Sequence, residues 1–183
     1  MNKTLDILVN FPIESPTQTE TMANTHHIPR LSQAEAEALP IKWVIKAWKN
    51  HNLDNFEYRL HQLLADGSIG INFGHYQELP PNVTDEHIME AQRHIGHPEN
   101  KKASRNMLRS FRNDLKIGDY VIIGQGGTKS RYVAQISSGY YYHPDETDQD
   151  WCMHRRRICN VRRLPEGFTR RFLMGTLGRY NPL

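Results

Sequence analysis

At 183 residues, 38% hydrophobic and 23% charged, the chain has the size of one ordinary domain and enough apolar content to build a core. Two cysteines, Cys152 and Cys159, are too few for a disulfide framework and lack Cys-x-x-Cys spacing, and no apolar run approaches the ~18 residues of a membrane span. The net charge of +3 is modest but unevenly placed: Lys101, Lys102, Arg105, Arg109, Arg112 and Lys116 crowd one stretch, and Arg155, Arg156, Arg157, Arg162, Arg163, Arg170 and Arg171 another. With no basic-then-apolar leader and both cysteines expected as thiols, the expected location is the cytoplasm.

Residues 1–40 read as a largely disordered tail, because Pro12, Pro16 and scattered threonines break every periodicity. Within it, Ser32 and Glu35 have capping-box spacing and predict a short helix to about Leu39. Residues 41–183 then form the folded domain. Ile41 to Trp48 alternates as a strand, with Trp43, Ile45 and Ala47 on one face. Phe56, Leu60, Leu63 and Leu64 follow at helical spacing, and Asp66-Gly67 ends that helix. Ser68 to Gly74 is a second strand whose glycines allow something to approach closely. Thr84 opens a helix to about His94, and Pro98-Glu99 opens another to Leu115, with Met107, Leu108, Phe111 and Leu115 as its buried stripe.

Three β-rich runs come next. Val121, Ile122 and Ile123 do not alternate with polar residues, so that strand is expected to be covered on both faces. Gln125-Gly126-Gly127 suits a hairpin turn, and Tyr132, Ala134 and Ile136 mark a half-buried strand turning at Gly139. Tyr140-Tyr-Tyr142, an acidic loop over 143–150 and His154-Arg-Arg-Arg-Ile158 complete what reads as a small β-barrel.

The words Phe111-Arg-Asn-Asp-Leu-Lys-Ile-Gly-Asp119, Tyr120-Val-Ile-Ile123, Gly139-Tyr-Tyr-Tyr142 and His154-Arg-Arg-Arg-Ile158 resemble the EVE-like branch of the PUA superfamily. Such domains are found at the N-terminus of McrB-type, modification-dependent restriction proteins. The resemblance spans about residues 41–165 and implies an α+β fold with a PUA/EVE-like β-barrel flanked by helices. It also implies a role in binding double-stranded DNA that carries a modified base, with the base flipped into an aromatic pocket. An AAA+ motor or nuclease is then expected elsewhere in a parent chain or in a partner protein. Phe73 stands where the family has an aromatic residue and Asn72 replaces a glycine, while His154 and Arg156 match a His-x-Arg word. Cys159-Asn160 falls where the family tends to have tryptophan, a departure that loosens the correspondence of pocket residues.

The residues themselves argue against catalysis. His87, His94 and His97 lack the spacing of a zinc helix, and the chain has neither a phosphate-binding Gly-x-x-x-x-Gly-Lys loop nor a Gly-x-Ser-x-Gly elbow. Asp145, Glu146, Asp148 and Asp150 have no lysine following them as a nuclease centre requires. No enzyme activity, cofactor or metal is therefore expected. Stacking a base needs a flat apolar face, an edge partner and cations for the phosphates. Trp48, Asn72, Phe73, Tyr76, Tyr140 and Tyr142 are the pocket candidates. Lys102, Arg105, Arg109, Arg131, Arg155, Arg156 and Arg157 are the backbone-contact candidates, with Arg155 and Arg157 on one strand face. The alternatives are an RNA or modified-RNA reader of the same barrel class, and a protein-interaction module.

Overall fold

The computed structural model describes residues 28–46, 60–71, 77–94, 102–125, 129–144, 152–168 and 177–180. In chain order the elements are α1 (Gln33–Ala38), β1 (Ile41–Lys46), α2 (helical over 60–65), β2 (Ser68–Ile71), α3 (Asp85–His94) and α4 (Lys102–Arg109). A π-helical turn (Ser110–Asp114) extends α4 and is followed by β3 (Tyr120–Gln125), β4 (Lys129–Tyr142), β5 (His154–Arg163) and β6 (Leu177–Arg179). The fold class is α+β. The strands form one six-stranded sheet in the order β2-β5-β4-β3-β1-β6. Every neighbouring pair is antiparallel except β1 and β3, whose parallel pairing requires the crossover that carries the helices. The described strands do not close into the expected barrel, since β2 and β6 lie at opposite edges of the sheet.

Both sheet faces are covered, and β3 shows why its sequence does not alternate. Val121 and Ile123 point into a large core with Trp43, Ile45, Tyr132, Ala134, Ile136, the helical residues Leu108 and Phe111, and Leu115 just after them. Ile122 points the other way, into a smaller core with Ile41, Val133, Leu164, Phe168 and Ala36. An irregularity between Ile41 and Trp43 turns these two residues to opposite faces. The β3–β4 hairpin forms as expected, with its Gly126-Gly127 turn outside the described residues.

Two expectations need correction. Residues 28–40 are not a tail: Arg30 bridges to Arg163, the Leu31 N–H donates to the Arg163 carbonyl (2.9 Å), and Ala36 is fully buried. The predicted capping box is present there, with Ser32 and Glu35 satisfying each other's backbone N–H. Nor does the chain turn at Gly139, because β4 runs on to Tyr142 and absorbs the glycine in a register shift between Ile136 and Tyr140. The close approach expected at the glycines of β2 is present at Gly70, where the approaching group is the chain itself. A Cβ there would lie 2.6 Å from the Cys152 Cβ, so the bare backbone is what lets the segment before β5 pass.

Candidate nucleic-acid interface

On α4 and the turn that extends it, Lys102, Arg105, Arg109 and Arg112 recur at intervals of three, four and three residues, which places them on one helix face. Asp85 of α3 pairs with Arg105 (3.5 Å) and Arg109 (2.9 Å), holding both side chains in place while offsetting part of their charge. The row then meets the sheet. Arg112 lies over the Tyr140 ring, 4.4 Å from its centroid, and its Nε donates to the Leu79 carbonyl (3.0 Å).

The π-helical turn arises because Leu115 donates to the Ser110 carbonyl, five residues back, at 3.1 Å. Carbonyls at such a helix end lack internal partners and carry the negative end of the helix dipole. Arg156 fills the position: Nε donates to the Phe111 carbonyl (2.9 Å), Nη2 to the Arg112 carbonyl (3.0 Å) and Nη1 to the Ser138 carbonyl (3.4 Å). Burial, followed by the neighbouring Arg112 charge, lowers the Arg156 pKa to about 10, so the group remains cationic at neutral pH.

Tyr140 is held at both its ring face and its hydroxyl. The hydroxyl accepts from the Leu79 N–H (3.0 Å) and lies 2.8 Å from His154 Nδ1. Tyr140 and His154 are nearly parallel, with centroids 5.9 Å apart, so they meet through the hydroxyl edge rather than by full overlap. Burial pushes the Tyr140 phenol up to about 12 and keeps it protonated at neutral pH. Tyr142 is half-buried, 5.5 Å from the same imidazole, and its hydroxyl donates to Met153 Sδ at 3.4 Å. His154 itself is fully buried.

The loop that follows residues 72–76 is fastened to this cluster. Both backbone groups of Leu79 are taken by Tyr140 and Arg112. Both backbone groups of Val83 are taken by the Asn113 amide, at 3.2 and 3.0 Å. Three side chains thus do what a strand partner does elsewhere.

Tyr140 and Tyr142 are brought together, with the α4 cations leading to them. The pocket candidates Trp48, Asn72, Phe73 and Tyr76 lie outside the described residues. Arg131 is partly buried near the far end of β4, roughly 30 Å along the strand from Tyr140 at ~3.3 Å per residue.

The arginine triplet requires correction. Arg155 and Arg156 are only 5% and 3% exposed, so neither is available to a phosphate backbone. The strand parity holds, since Arg155 and Arg157 both reach Asp66, but their shared partner is this internal carboxylate. Arg155 also donates to the Cys152 carbonyl (2.9 Å). Of the three only Arg157 is open, its side chain half exposed and lying 5.3 Å over the Tyr141 ring. Sequence reasoning counted Arg112 in a basic stretch without assigning it a site; its three-residue step from Arg109 was the available signal.

A family model described as Domain of unknown function (DUF8426) matches residues 43–161, and the chain belongs to that family. The matched span runs from β1 into β5 and includes the cation row and the aromatic cluster. No curated protein and no solved structure matches the chain.

Proposed function

We propose that this member of the DUF8426 family is a nucleic-acid reader, an EVE-like module that binds duplex DNA carrying a modified base. The observation that carries the reading is the row Lys102, Arg105, Arg109 and Arg112, which ends on the Tyr140 ring beside Tyr142 and His154. Cations in line suit a phosphate backbone, and aromatic rings at the end of that line suit an unstacked base. The loop pinned through Leu79 leads directly from residues 72–76, where the resemblance puts the pocket aromatic Phe73. In this reading the base pocket lies at the Tyr140 end of the sheet. The motor or nuclease of a restriction system lies in another segment or a partner.

The test is equilibrium binding of duplex DNA between ~50 and ~200 mM salt, where counterion release makes phosphate-dominated affinity fall steeply. The wild type is compared with Lys102→Gln/Arg109→Gln. The variant should bind more weakly, with a shallower salt slope by about two charges. Affinity that does not respond to salt would overturn the reading, and a preference for single-stranded RNA would replace it with an RNA reader.

A further inference from the structure

We propose that Arg112 is a phosphate-binding residue, its Nη1 and Nη2 groups taking two oxygens of one phosphate. The inference rests on the nucleic-acid reading, in which that phosphate flanks the base held near Tyr140 and Tyr142. Arg30, Arg105, Arg109, Arg155 and Arg157 each pair with a carboxylate of the chain. Arg112 does not. Its Nε is committed to the Leu79 carbonyl and its plane rests on Tyr140, yet among the described residues neither Nη group has an acceptor. A guanidinium fixed at one end and on one face has already lost most of its rotamer freedom, so its fork meets an anion with little further ordering. The side chain is partly exposed, and an incoming group can reach it.

Two guanidinium groups favour an anion here, set against the single Glu78 carboxylate that also acts on Tyr140. Arg156 lies behind, bonded through all three guanidinium nitrogens to carbonyls, and contributes charge without competing for the ligand. Arg112 and Arg156 repel each other, and a bound anion offsets that repulsion. A phosphate matches the two parallel N–H donors of the fork, and a phosphodiester presents the same pair of non-bridging oxygens as a free phosphate. Lys102, Arg105 and Arg109 extend the positive field along α4, as a continuing chain of phosphates requires.

Two arms test this on the whole protein, with melting temperature measured for each variant. In the first, duplexes carrying one neutral methylphosphonate at successive positions are titrated against wild type and Arg112→Lys. At one position the neutral linkage should weaken wild-type binding about tenfold and the variant's binding hardly at all. In the second, the Arg112 guanidinium resonances are followed on adding inorganic phosphate, with chloride at equal ionic strength as control. A saturable shift with phosphate alone is expected.

The first arm decides whenever a duplex binds. If every neutral linkage costs wild type and variant alike, Arg112 holds no phosphate, while preference for a modified duplex would leave the reader function standing. If no duplex binds, the reader function falls and the second arm decides. A phosphate-specific shift then keeps Arg112 as a site for free phosphate, and no shift overturns it. Should Arg112→Lys fail to fold, the wild-type methylphosphonate scan and phosphate titration carry the decision, and a flat scan with no shift overturns the proposal.

Discussion

Neighbouring arginines in this chain do unlike jobs, and stability separates them. Arg156→Leu strands the carbonyls of Phe111 and Arg112 inside the protein, at roughly 1–3 kcal/mol per unsatisfied group. A loss of about 2–6 kcal/mol in urea unfolding is expected, against less than about 1 kcal/mol for Arg157→Ala, whose pairing with Asp66 is half in water. Equal losses would contradict the burial of Arg156. Gly70→Ala should cost about 1–3 kcal/mol through overpacking against the Cys152 Cβ. Cys152→Ala keeps that Cβ and should not rescue it; Cys152→Gly should recover part of the loss.

Asp119 gives a pH dependence of defined sign. Burial pushes its carboxyl up, but hydrogen bonds from Lys42 (2.7 Å), the Lys116 N–H (3.1 Å) and Trp43 Nε1 (3.0 Å) outweigh burial and hold it below the ordinary 3.8. A carboxylate depressed in the folded state contributes fully above its unfolded value and loses that contribution as pH falls through the folded one. The stability gap between wild type and Asp119→Asn should therefore be constant at neutral pH and shrink below about 3.8. Urea midpoints at stepped pH measure it, and a gap that persists to the lowest pH would contradict the account.

At the scale of elements, the loop over 77–83 is ordered by side chains rather than by a ladder, and amide exchange reports on each clamp separately. Asn113→Ala should speed exchange at the Val83 amide, and Tyr140→Phe at the Leu79 amide, with amides of β3 unchanged. If either substitution speeds exchange across β3 as well, the loop is not a separate unit. The elements themselves were largely legible in the sequence. The capping box at Ser32, the buried stripe of Leu108, Phe111 and Leu115, and the two-faced burial of Val121 to Ile123 all follow from local spacing. The burial of Arg155 and Arg156 was not legible, because it depends on carbonyls and a carboxylate brought from residues 66, 111, 112 and 138. Gly139 looked like a turn because a long strand can absorb a glycine as an irregularity, which local sequence does not distinguish from a reversal. Of the site, the row on α4 was legible from helical spacing, whereas the hold of Arg112 on Leu79 and Tyr140 needed the fold.

For the whole molecule, one mixed sheet joins an antiparallel β3–β4–β5 meander to a parallel β1–β3 pair. The crossover between β1 and β3 delivers β2, α3 and α4, and with them the cation row, to the Tyr140 end of β4. Phosphate contacts position a nucleic acid without reading it, so a reader must also discriminate at the base. The most direct measurement is therefore wild-type affinity, at one salt concentration, for matched duplexes bearing plain cytosine, methylcytosine, hydroxymethylcytosine or methyladenine at a single position. Stacking and edge contacts of ~1–3 kcal/mol per base should make one modified duplex bind about tenfold tighter than the plain one. Equal affinity for all four, or no binding to any, would contradict the proposal that this chain reads a modified base.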